Sequence, residues 1–184
     1  MKSIYAASLA VATALAIGVA SASSPAADSR DELILSVLGN FWGSARDVAG
    51  KPIEPASERE RAVVPVPMSV AYRALEAGEA SGLAEWCGLP WEPHYFSITN
   101  AARSLNMTDT QVAFVSVLHG AAQGAVARSM QGKTCDSASK VRANARLAAS
   151  QARGLAVSTE PQSGTWPNNS IKPNLLRKSA YLGR

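Results

Sequence analysis

Cys87 and Cys135 are the only cysteines of this chain, and the chain opens with what reads as an export leader. In an oxidising compartment, an even pair of cysteines without metal-ligand spacing points to a disulfide, with free buried thiols as the alternative. Closing a loop of this length contributes about 4 kcal/mol in a chain-entropy treatment, which is a large share of a small domain's net stability. Any fold for this sequence is therefore expected to bring residues 87 and 135 together.

The leader itself is short. Lys2 supplies a positive start, Tyr5 to Val19 is almost wholly apolar, and Ala20-Ser21-Ala22 has the small-x-small pattern that signal peptidases cut. The apolar run is shorter than the roughly 20 residues needed to cross a bilayer, and no second run follows it. The expectation is a cleaved segment over residues 1–22 and a mature protein without a transmembrane span, in a bacterial periplasm or secreted. A formal charge of +4 and a pI near 9.3 reflect a small, scattered excess of bases. That excess is too weak to argue for nucleic acid, which also lies in the wrong compartment.

Helical spacing dominates what remains, and no strand-type alternation of any length occurs. Residues 23–67 read as a short amphipathic helix followed by a Pro-rich linker or irregular wrap. Ser29-x-x-Glu32 has the form of a capping box, and Leu33, Ile34, Val37, Leu38, Phe41 and Trp42 recur at helical intervals. Docking of this helix on the main core is favoured over holding a partner or a membrane surface, because its polar side carries Asp31, Glu32 and Asn40 rather than Lys or Arg.

Residues 68–154 predict a disulfide-stapled, four-helix bundle-like domain, so the fold class is all-α with irregular terminal segments. The first helix spans about Ser69 to Trp86 with Ala71, Leu75, Gly78, Gly82 and Trp86 on one stripe, and the second carries Pro93 in its first turn and Tyr95, Ile98, Ala102 and Leu105 inward. The third opens on the capping box Thr108-x-x-Gln111, with Met107 and Val112 placed as a staple. Apolar on several faces, it reads as the central, buried helix. The fourth starts at the N-cap Asp136, with Val141, Ala145, Ala148 and Ala152 inward and Lys140, Arg142, Arg146 and Arg153 towards solvent. Residues 155–184 mix Gly, Pro, Ser and Asn and read as a flexible basic tail.

Candidate chemistry centres on His119, which lies on the inward stripe of the third helix. A buried imidazole must satisfy two ring nitrogens, and Gln123 stands one turn on. Gly120 and Gly124, like Gly78 and Gly82, form small-x-x-x-small pairs that let two helices cross closely. The site is either a core histidine bonded to Gln123 or a carbonyl, or a ligand pocket of His119, Gln123, Gly120 and Gly124; buried polar groups are more often paired for structural reasons.

Other motifs are weaker. His94 is the only other histidine, and without a Glu-x-x-His or His-Glu-x-x-His arrangement neither a metal nor another cofactor is expected. Ser137-x-x-Lys140 matches a serine-lysine motif but lacks its Ser-Asp-Asn and Lys-Thr-Gly companions. Glu76 and Glu79 could pair as acid and base, yet carboxylates on an exposed helix usually face water or pair with the arginines of a neighbour. Trp86 and Trp91 flank Cys87 and, with Arg142 and Arg146, offer a possible interaction surface; aromatic packing round the bridge is the commoner use.

No catalytic constellation is complete. The expected function is that of an exported, non-enzymatic helical protein acting on another envelope or secreted protein. Immunity proteins, inhibitors and chaperones offer only a fold-level analogy. The alternative is a small-ligand or metal-binding helical domain with His119 in a buried pocket.

Overall fold

In the computed structural model, which describes residues 25–47 and 49–155, the chain forms α1 (Pro25–Phe41), α2 (Glu58–Arg61), α3 (Met68–Trp86), α4 (Glu92–Ser104), α5 (Asp109–Ser129) and α6 (Ser137–Arg153). No strand occurs among the described residues; a lone antiparallel bridge joins Arg46 to Pro52. The leader and nearly all of the expected tail lie outside the described residues.

The middle of the bundle is α3. Ten of its 19 residues are buried, and they cover more than half of the helix's circumference, leaving the face of Tyr72, Glu76, Glu79 and Leu83 partly exposed: Val70, Ala71, Ala74, Leu75, Ala77, Gly78, Ala80, Ser81, Gly82 and Ala84. This corrects the expectation that the third bundle helix, α5, is central. Alanine and glycine carry little hydrophobic weight, so α3 looks less apolar than α5, but their small size lets α4, α5 and α6 all close on it. α5 instead leaves Gly120 exposed and Val117 at 37% exposure.

The N-terminal segment belongs to the same core. Ile34, Val37, Leu38, Phe41 and Trp42 are buried, and Phe41 meets Phe114 of α5 edge to face at 5.1 Å. Such aromatic pairs stabilise beyond the area they bury by about 1 kcal/mol. α1 starts at Pro25, so Ser29 lies inside the helix and is not its cap. Residues 42–67 wrap rather than link: Ile53 and Val66 are buried, Ile53 exchanges main-chain bonds with Gly43 and Ala45, and Trp42 donates its indole N–H to the Arg61 carbonyl.

Both predicted caps of the later helices form. Thr108 accepts from the Gln111 amide while Gln111 returns a bond to the Thr108 amide, and Asp136 accepts from the Ser139 amide at 2.7 Å. The buried face of α6 differs from the expected one. Ala143, Leu147 and Ser150 are inside, whereas Val141 is 69% exposed and Ala145, Ala148 and Ala152 face solvent. In a helix so rich in alanine the apolar stripe is ambiguous, and the polar Ser150 holds an inward place because it has a buried partner. Leu105, expected inward, is 47% exposed beyond the end of α4. After α6, Gly154 adopts a positive φ of 54°, which a side chain resists, and the turn delivers Leu155 into the main core.

Cys87 follows α3 and Cys135 precedes α6, and their sulfurs lie at disulfide distance with Cα atoms 5.3 Å apart. The staple thus ties the far end of the central helix to the start of the last one.

Candidate functional site

The two histidines, separate in sequence, meet inside the bundle. α5 approaches α3 closely because Gly78 and Gly82 present no side chains. Gly78 lies against the His119 carbonyl, and Gly82 against Val126 and the Gln123 carbonyl. At this separation the hydroxyl of Ser81 reaches His119 Nε2 at 3.0 Å. On the other side, α4 and α6 make a matching pair: His94 Nε2 and Ser150 Oγ are 3.0 Å apart. The two rings lie edge to face with centroids 6.4 Å apart, and Tyr95 meets the His119 ring at 5.2 Å. Ser81, His94, His119 and Ser150 are all at least 96% buried.

One buried polar junction therefore joins four helices. Its electrostatics favour neutral rings. Each Nε2 has a serine partner, but among the described residues neither Nδ1 has a hydrogen-bond partner. An imidazolium donates from both nitrogens, so a proton on either ring would leave a buried N–H unsatisfied. Burial and the neighbouring His94 push His119 down to about 4, and burial lowers His94 as well.

The expected pocket does not assemble as a set. Gln123 turns from His119 and donates to Glu85 at 2.7 Å, Gly120 faces outward, and the crossing on the α5 side is made by His119, Ala122, Gln123 and Val126 rather than by the glycines. Ser81 and Ser150, the real partners, escaped attention because serine on an apolar face carries no motif. Their one signal is register: Ser81 stands three residues after Gly78, and Ser150 three after Leu147. Among the described residues no group of three or more His, Cys, Asp or Glu side chains could hold a metal ion.

The remaining candidates are engaged in packing and ion pairs. Trp86 donates to the Lys133 carbonyl beside the staple, and Trp91 packs with Leu89 on Ala80, Ala84 and Leu147. Glu79 binds Arg30 of α1 and Arg146 of α6, at 3.0 and 2.6 Å, while Glu76 pairs with Arg73 and lies near Arg30 and Arg153. Arg142 bonds Ser139, and Ser137 and Lys140 are exposed at the start of α6.

An open cleft of about 250 Å³ lies between α4, α5 and the 45–47 turn. Val112, Ala113 and Val117 contribute apolar lining, Arg46, Arg103 and Asp109 contribute charges of both signs, and Tyr95 forms part of the wall. Phe96, 60% exposed, stands edge to face with Tyr95 at 5.5 Å.

Comparison with family models, with curated proteins and with solved structures found no match to this chain.

Proposed function

We propose that this is an exported, non-enzymatic protein that acts by binding a segment of another envelope or secreted polypeptide in the cleft between α4 and α5. The observation that carries this reading is the contrast between the two candidate sites. The imidazoles, the side chains best suited to catalysis, are sealed in the core and tied to serines, whereas the cleft offers exposed Val117 and half-buried Tyr95 beside charges of both signs. Exposed aromatic and apolar side chains within a polar rim are the usual composition of a polypeptide-binding surface. Mixed charge suits a peptide better than a nucleic acid or an anionic lipid.

Photo-crosslinkers at positions 103 on α4 and 116 on α5, both lining the cleft, test it in the native envelope, with position 142 on α6 as control. The reading predicts one polypeptide captured from both cleft positions, not from 142, and lost with Val117→Asp. Capture only at 142, or capture indifferent to Val117→Asp, would sink it.

The second reading, a small-ligand or metal-binding domain around His119, draws on the two unpartnered Nδ1 atoms. It is the weaker one, because two neutral imidazoles without a carboxylate or thiolate offer little to compensate a buried cation. Metal analysis of the untagged protein tests it, and a stoichiometric ion lost with His119→Gln would favour it over the cleft.

A further inference from the structure

We propose that the His94–His119 pair is an acid-operated latch on α4: a proton on either ring frees α4 from α3, α5 and α6 and opens the cleft wall that Tyr95 forms, while the other main helices stay together. This goes beyond the binding reading and does not rest on it, since its readout is the protection of α4 itself.

The geometry carries the inference in three steps. First, a charged imidazole has no place in the closed junction. Both histidines are 1% exposed, each Nε2 is taken by a serine, and among the described residues each Nδ1 has no acceptor for a second proton.

Second, among the described residues no fixed charge is aimed at the rings to offset the proton. On α3, Glu79 is engaged by Arg30 and Arg146, Glu76 by Arg73, and Glu85 by Gln123. On α4 the nearby titratable groups are Tyr95, which presents a ring edge, and Glu92, which accepts from the Trp91 amide at the surface. From α6 the facing group is neutral Ser150, with Arg146 and Arg153 turned to Glu79 and Glu76. On α5 the other charged groups are Asp109, nearly three turns before His119 in the cleft rim, and Arg128, more than two turns after it.

Third, α4 is the helix least able to bear the loss. Its buried side chains are His94, Ile98, Thr99 and Ala102, and the Thr99 hydroxyl bonds only carbonyls of its own helix. α4 adds just Ile98 and Ala102 to the large apolar core, whereas α5 adds Val112, Phe114, Val115, Leu118 and Ala122; α6, which also buries few apolar side chains, is held by the staple, by Leu147 and by the arginine pairs. Segments with few buried apolar contacts open first and separately.

Burial and His94 hold His119 near 4 in the closed state, against about 6.5 for a free histidine. Each pH unit below about 6.5 therefore favours the open form by up to about tenfold for an imidazole that takes its proton only when released.

Hydrogen–deuterium exchange of the disulfide-intact mature protein at about pH 7 and about pH 5, corrected for intrinsic exchange rates, tests the latch. The expected result is a loss of protection of at least about tenfold in peptides from residues 92–104, with residues 68–86 and 109–129 still protected. A double His94→Gln, His119→Gln variant, which cannot titrate there, should lose this acid response. Unchanged α4 protection, simultaneous loss in α3 and α5, or an equal acid response in the double variant would each overturn the proposal. If the variant does not fold, imidazole nitrogen shifts of the wild type decide: rings that protonate near 6.5 with α4 amides unmoved would overturn it, and rings neutral until α4 exchanges would support it.

Discussion

Gly78 of α3 lies directly against the main-chain carbonyl of His119, with no room for a methyl group between them. A Cβ there would also stand 2.9 Å from the Ala122 methyl, so either the backbones part or the helix shifts. Gly78→Ala is expected to destabilise by about 2 to 3 kcal/mol despite alanine's better helix propensity, as overpacking does. Gly120→Ala, where nothing lies within 4 Å, should be stabilising by up to about 1 kcal/mol. Urea denaturation of both variants checks the contrast, and equal effects would contradict the crossing.

Acid should weaken the fold through the same junction. Unfolded, His119 takes a proton near 6.5; folded, it resists until about 4. Between these values the unfolded chain binds more protons, so stability falls as pH drops through that window, by on the order of 3 kcal/mol, and is flat above it for this group. Urea midpoints from about pH 7 to about pH 4 should show the slope, and His119→Gln should flatten it.

Glu79 is the shared anchor of Arg30 and Arg146. Since these pairs are only part-buried, Glu79→Gln should cost about 1 kcal/mol at low salt. The deficit should shrink in high salt, where exposed charges are screened. A loss independent of salt would assign the effect to packing instead.

Thr108→Ala removes one half of the capping box and should cost about 1 kcal/mol. A smaller loss is expected for Thr108→Ser, which keeps the accepting oxygen; thermal melts compare them.

How far the sequence discloses the fold varies by element. Thr108, Gln111 and Asp136 were readable because a cap is local, with acceptor and amide a few residues apart. Cys87 and Cys135 were readable because there are two of them, without metal-ligand spacing, behind a segment that reads as an export leader. The inward face of α6 was not, since Ala143 and Ala145 are the same residue by any hydropathy measure. Only a neighbour decides between them, and here the neighbour is His94 reaching Ser150. The same reason hid the centrality of α3, whose small side chains matter for what they admit rather than for what they bury. His119 could be placed on an inward face, but Ser81 lies on another helix and is fixed by the crossing at Gly78.

The staple joins positions 48 apart, and both α4 and α5 lie within the ring it closes. A protease that cut the chain anywhere inside that ring, including in a released α4, would leave one covalently continuous molecule with both pieces still attached. Such a nicked protein would migrate as a single species until its disulfide was reduced, and its severed segment could dock again without meeting a second molecule.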